Sequence, residues 1–228
     1  MLFRKAKPPP LTAWIMQFST PANLLKAASS VLIDATPGTD SRPVVMCLTI
    51  FSATGNLVGN LLRNEEAFYK DIRTYFRDTD FDVVTAEAIV WISVLMVEFW
   101  KSDKQKDREM FERIGCGTIS VAGELSLEMI KSNTGFDFKT SAIERRRTYI
   151  ESAKSGMLVE AFASVLYRSV GRRALAEPLE PERPPLELEW MTINIALNIF
   201  FSTMPLAYYE TFKNMLKGRP DLFAYDED

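Results

Sequence analysis

Three aspartates alternate with other residues at Asp78, Asp80 and Asp82. A calcium-binding loop begins in this way, because acidic side chains at such spacing can surround one hard cation. The rest of that loop pattern is missing, since Val83 stands where glycine is needed and Ile89 where a bidentate glutamate is needed. The run predicts either a divalent-metal site of an all-α enzyme or acidic residues that stabilise a helix N-terminus, and we favour the helix N-terminus.

Two pairs of asparagines are each spaced four residues apart, Asn56 with Asn60 and Asn194 with Asn198. That spacing puts the members of a pair on one face of a helix. If the two helices meet, the four amides would form a buried polar seam that satisfies its own hydrogen bonds, binds water or binds a small polar ligand. The alternative, which we favour, is that the first pair faces solvent and the second bonds locally.

Histidine is absent from the 228 residues. Catalytic triads with histidine and histidine-containing zinc sites are therefore excluded, and the commonest general base is missing. The two cysteines, Cys47 and Cys116, do not make a disulfide framework. Cys116 stands between two glycines, yet no histidine is available to activate its thiol, so tight packing is its expected role. These residues predict no catalytic site and no cofactor, and they favour a protein without enzymatic activity.

One stretch of the chain is basic although the formal net charge is −3. The candidate basic patch comprises Arg145, Arg146, Arg147, Lys154, Arg172 and Arg173. Positive stretches bind phosphate, acidic proteins or anionic lipid. No aromatic residues interleave with the charges in a nucleic-acid-binding pattern, so we expect no nucleic acid partner. A solvated helix face is the favoured interpretation of the patch.

Two glutamates interrupt the apolar stretch that follows Asp80, at Glu87 and Glu98. They lie eleven residues apart, about 16 Å along a helix, which is too far for both to serve one reaction centre. We expect them to mark an edge that faces solvent or a partner. The four tryptophans are candidate anchors for an interface or a pocket; they are Trp14, Trp91, Trp100 and Trp190.

The elements that position these residues are all predicted to be helices, and no strand signal is present. Apolar residues recur at helical spacing between caps and breakers. Thr20 followed by Pro21 predicts a helix N-cap, and Gly55 with Gly59 predicts a close helix approach. Predicted helices cover residues 11–18, 21–33, 43–63, a segment after 64, 81–101, 103–131, 140–172 and 186–216.

This pattern predicts an all-α bundle of about seven or eight helices in a single domain, residues 11–218, with the hydrophobic helices 81–101 and 186–216 at its centre. Residues 1–10 are expected to be an extended proline-rich lead-in. Residues 177–185 hold four prolines and predict a loop. Residues 219–228 are expected to be an acidic tail.

Two stretches of 20 residues, 43–62 and 190–209, contain no charge and are long enough to cross a bilayer. Each includes two asparagines, which are unfavourable in hydrocarbon unless they find partners. We therefore expect buried core helices rather than membrane spans. The basic N-terminus is interrupted by three prolines, which is not typical of a signal peptide, and a cytoplasmic location is expected.

Poor catalytic equipment and abundant apolar helical surface favour a non-catalytic helical interaction protein that self-associates or binds a protein partner. The second hypothesis is a helical pocket for an apolar small molecule, lined by the asparagine pairs. The third is a metal-dependent all-α enzyme that uses the cluster from Asp78 to Asp82.

Overall fold

The computed structural model of the chain describes residues 10–20, 22–23, 26, 42–63, 81–103, 138–169 and 188–218. These residues form helices without any strand among them, which confirms the all-α prediction. The helices are α1 (Pro10–Ile15), which continues into a 3₁₀ turn (Met16–Phe18), α2 (Arg42–Arg63), α3 (Phe81–Asp103), α4 (Phe138–Lys154), α5 (Leu158–Ser169) and α6 (Leu188–Gly218).

Helix α3 is the central element of the described part of the chain. It packs against each of α1, α2, α4, α5 and α6. All side chains from 84 to 96 are buried, including the polar ones at Thr85, Glu87 and Ser93. A helix that is apolar nearly all round is stable only where other elements cover every face, and this central position provides that cover. The predicted placement of helix 81–101 at the centre agrees with this packing.

Thr20 provides the helix N-cap that its sequence context predicts. The backbone N–H of Asn23 donates to Thr20 Oγ1 at 3.2 Å, which is the bond of an N-cap hydroxyl to the third helical residue. Of the predicted helix 21–33, the described residues 22, 23 and 26 have helical backbone. The predicted helices after 64 and over 103–131, the lead-in before Pro10, the loop 177–185 and the tail 219–228 lie outside the described residues, apart from residue 103 at the end of α3.

The prediction of a single helix over 140–172 is wrong, because one helix ends at Lys154 and a second begins at Leu158. Gly156 has a positive φ of 73°. Its N–H donates to the carbonyl of Ala153 at 3.1 Å, and the N–H of Met157 donates to the carbonyl of Ser152 at 2.8 Å. This pair of bonds is a Schellman motif, in which a left-handed glycine ends a helix. Met157 lies in this turn and is 39% exposed.

Helix α6 is buried along only part of its circumference, unlike α3. Met191 and Tyr209 are 18 residues apart, about five full turns, and would share a face of a straight helix. Met191 is nevertheless 47% exposed and Tyr209 only 5% exposed. In the C-terminal half of α6 the described side chains of Tyr208, Tyr209 and Phe212 are buried, whereas in the N-terminal half the described side chain of Met191 is about half exposed.

One described helix segment, Val45–Arg63 in α2, is long and apolar enough to cross a membrane by length and composition. Within the fold, 72% of the apolar stretch of this segment is buried. The core helix of a soluble protein has the same length, composition and burial. A soluble protein with α2 as a core helix is therefore compatible with this arrangement.

Gly55 is expected to be intolerant of substitution. A Cβ at this position would lie 2.6 Å from the carbonyl oxygen of Ile15, whereas one at Gly59 would lie 3.8 Å from the flexible end of Met16. We expect Gly55→Ala to lower the free energy of unfolding by about 1–3 kcal/mol, because the backbone of α1 must move away. Gly59→Ala should raise it by up to about 1 kcal/mol through helix propensity. Urea denaturation followed by circular dichroism measures both, and equal effects would contradict the close approach.

Candidate functional site

Asp82 binds the N-terminus of α1. Its Oδ1 accepts the backbone N–H of Thr12 at 2.9 Å and the hydroxyl of Thr12 at 3.0 Å. The N–H of Leu11 also donates to this carboxylate. Burial raises the pKa of Asp82, and these hydrogen bonds oppose the rise. The carboxylate therefore satisfies the free donors of another helix's first turn, which is a structural role for an acid that the sequence offered as a metal ligand.

The described residues form no metal-binding cluster around Asp82. Asp78 and Asp80 lie outside them, and within them no group of three or more histidine, cysteine, aspartate or glutamate side chains is placed to hold a metal ion. The partners of Asp82 are instead the hydroxyl of Thr12 and backbone amides of α1. The hydroxyl of Thr12 also forms a hydrogen bond of 2.8 Å with the hydroxyl of Thr85.

Glu87 is the more deeply buried of the two ionisable side chains described on α3, Asp82 and Glu87. Its carboxylate accepts Nε of Arg145 at 3.0 Å and the hydroxyl of Tyr149 at 3.2 Å, both on α4. Burial raises the pKa of Glu87 more than the guanidinium of Arg145 lowers it. Burial and the neighbouring carboxylate also raise the pKa of Tyr149. The expectation that Glu87 marks an edge facing solvent or a partner is wrong, since its side chain is 2% exposed.

Trp91 lies one helical turn beyond Glu87 and attaches the next helix to α3. Its indole N–H donates to the carbonyl of Leu158 at 3.0 Å, and its ring stacks on Phe162 at 4.5 Å between centroids. Tyr149 meets Phe162 edge to face. The polar residues Glu87 and Trp91 thus fix α4 and α5 against one side of α3. Because Trp91 is fully buried, it is a core residue and is not available as an interface anchor, the first of the two roles that the sequence predicted for the tryptophans.

The first asparagine pair lies next to a polar cluster between α2, α6 and the end of the 3₁₀ turn. Asn60 donates to Asn56 at 3.1 Å, and both side chains are partly buried. Tyr208 of α6 donates its hydroxyl to the carbonyl of Ser19 at 3.3 Å. Burial raises the pKa of Tyr208, whereas its hydrogen bonds with the side chains of Ser52 and Asn56 lower it. Tyr208 was not among the residues singled out from the sequence.

The structure does not bring the two asparagine pairs together. Asn198 bonds locally, with its amide donating to the side chain and the backbone of Asn194. Asn56 meets α6 at Tyr208, which lies ten residues, or about 15 Å, along the helix from Asn198. The seam that the pocket hypothesis needs is therefore not formed by these four amides.

An apolar stripe is exposed on the N-terminal half of α6, and we call it the α6 stripe. It comprises Met191, Ile195 and Ile199, which are 47%, 51% and 47% exposed. Their spacing of four residues places them on one face, beside the amides of Asn194 and Asn198. Patches of large apolar side chains on a surface mark interaction sites, whereas single exposed residues need no explanation. In the sequence, the uncharged stretch 190–209 indicates this apolar helix, but it does not indicate which face of the helix is exposed.

The basic residues do not form one continuous surface in the described part. Arg145 turns toward the buried Glu87, and its side chain is 19% exposed. Arg147 is exposed, and Lys154 is exposed and pairs with Glu151 on the same helix at 2.9 Å. Arg146 is partly buried, while Arg172 and Arg173 lie outside the described residues.

The described cysteine is not a reactive thiol. Cys47 is buried in α2, and burial raises the pKa of its thiol to about 12. It therefore stays protonated and a poor nucleophile at neutral pH. Cys116 lies outside the described residues.

Comparison of the chain with protein-family models, with curated proteins and with solved structures finds no match.

Proposed function

We propose that this chain is a non-catalytic, cytoplasmic helical interaction protein that associates with copies of itself. The observation that supports the proposal is the α6 stripe, three large apolar side chains about half exposed along one helix face. Removing such a surface from water is favourable in proportion to its apolar area.

The chemistry of the buried acids also favours a binding role. Asp82 and Glu87 are the buried carboxylates described, and both are engaged by the protein's own donors from α1 and α4. Each joins two helices, which accounts for its burial without a substrate. An acid or base that acts in catalysis must instead reach the proton of a bound substrate.

We expect the purified protein to show a mass above that of one chain, 25.9 kDa, as its concentration is raised. Sedimentation velocity over a concentration series measures this, and native mass spectrometry gives the copy number. A protein that remains one chain at high micromolar concentration would contradict the proposal. A reproducible added mass of a few hundred daltons in native spectra would instead support the hypothesis of a small-molecule pocket.

A further inference from the structure

The residues of the α6 stripe lie four apart, and so form one ridge of the kind that packs between helices. When such ridges of two helices interdigitate, the axes cross at about −50° with about 8–10 Å between them. Contact is then concentrated at the crossing point and falls off toward both ends. Ile195 is the middle and most exposed residue of the stripe, with Met191 and Ile199 one turn to either side.

We propose that two copies of this chain associate by crossing their α6 helices at Ile195, which contacts its own counterpart across a two-fold axis. This proposal rests on the proposed function and names the surface through which self-association occurs. In a two-fold interface the same patch serves both subunits, so the patch must be complementary to itself.

The charge distribution favours a second copy as the occupant. Residues 190–209 include no charged side chain, so two copies meet here without placing like charges together. A strongly charged partner would gain no ion pair from the same face. The amides of Asn194 and Asn198 flank the stripe and are both donors and acceptors, so that amides of two copies can bond one another.

The size of the stripe indicates a weak and reversible association. Stable interfaces bury about 800 Å² on each partner, more than three half-exposed side chains provide. Much of the binding energy should therefore depend on the residue at the crossing point, where side chains are most completely removed from water.

The decisive variant is Ile195→Lys, with Ala207→Lys as its matched control on an exposed position of the same helix. We expect Ile195→Lys to raise the apparent dissociation constant of the self-associated form about tenfold or more, because it places two like charges together at the crossing point. Ala207→Lys should leave association unchanged. Sedimentation velocity measures both, and circular dichroism melting checks that each variant is folded.

Engineered cysteines test the geometry independently. In a Cys116→Ser background, with the buried Cys47 retained, Ile195→Cys should form a disulfide-linked dimer under mild oxidation. Residues at a helix crossing approach within the roughly 4.4–6.8 Å between Cα atoms that a disulfide spans. Ala207→Cys in the same background should remain a single chain.

The outcomes separate this inference from the function on which it rests. Self-association that persists unchanged in Ile195→Lys, without cross-linking through Ile195→Cys, would overturn the inference and leave the proposed function standing. A parent protein that stays a single chain would overturn both. If the parent is a single chain and Ile195→Lys also lowers the melting temperature, another segment of the same chain covers the stripe.

Discussion

Trp91→Ala is expected to lower the free energy of unfolding by about 3–5 kcal/mol, the range for truncating a buried tryptophan. The indole is fully buried at the meeting point of α3, α5 and α6, stacked on Phe162 and close to Phe200. Its removal leaves a cavity beside residues that helices on three sides hold in place. It also removes the donor to the carbonyl of Leu158. Urea denaturation followed by far-ultraviolet circular dichroism measures the loss.

Trp91→Phe separates the two contributions of the indole. This variant keeps an aromatic ring against Phe162 and loses the donated hydrogen bond to Leu158, so the expected loss is about 1–2 kcal/mol. A loss below about 1 kcal/mol for Trp91→Ala would contradict the central position of α3, because core truncations cost more than that.

Much of the fold is predictable because its strongest signals are local. The helices over 43–63 and 81–101 are mostly apolar and are bounded by residues that end helices, and the structure places them at 42–63 and 81–103. Thr20 caps a helix as predicted because that bond joins residues three apart. A helix end is harder to predict where a single glycine is the indication of it and the helical spacing of apolar residues continues past that glycine, as at Gly156. Its position after Lys154 fits a helix end, yet the apolar spacing continues through it.

The role of Glu87 could not be predicted because its partner is distant in sequence. Arg145 lies 58 residues away, and no local pattern links the two. A polar residue on a helix that is apolar nearly all round looks the same whether it faces solvent or an ion pair. The exposed face of α6 is unpredictable for a related reason, since residues 190–209 include no charged side chain that would mark the face toward solvent. In both cases the missing information is which helices pack together.

Glu87→Ala is expected to lower the free energy of unfolding by about 3 kcal/mol, near the lower end of the range for breaking a buried ion pair. The change leaves Tyr149 buried without its acceptor and Arg145 without its carboxylate. The loss stays at the lower end because the side chain of Arg145 is 19% exposed and can reach water. Glu151→Ala on the outer face of α4 is the control and should have little effect, since that glutamate is solvent-exposed.

The pH dependence of stability distinguishes the two glutamates by sign. Burial raises the pKa of Glu87 above its ordinary value, so its contribution is fully present below that value and is lost as the pH rises through the raised pKa. Glu87→Gln keeps an acceptor for Arg145 and does not titrate. The unfolding midpoint of this variant minus that of the parent should therefore increase as the pH rises through the raised pKa of Glu87. The hydrogen bond from Lys154 lowers the pKa of Glu151, and its contribution is lost as the pH falls. Unfolding midpoints of the parent, Glu87→Gln and Glu151→Gln, measured from acidic to neutral pH, give both pH dependences. If the midpoint of Glu87→Gln minus that of the parent decreases with rising pH, Arg145 lowers the pKa of Glu87 more than burial raises it.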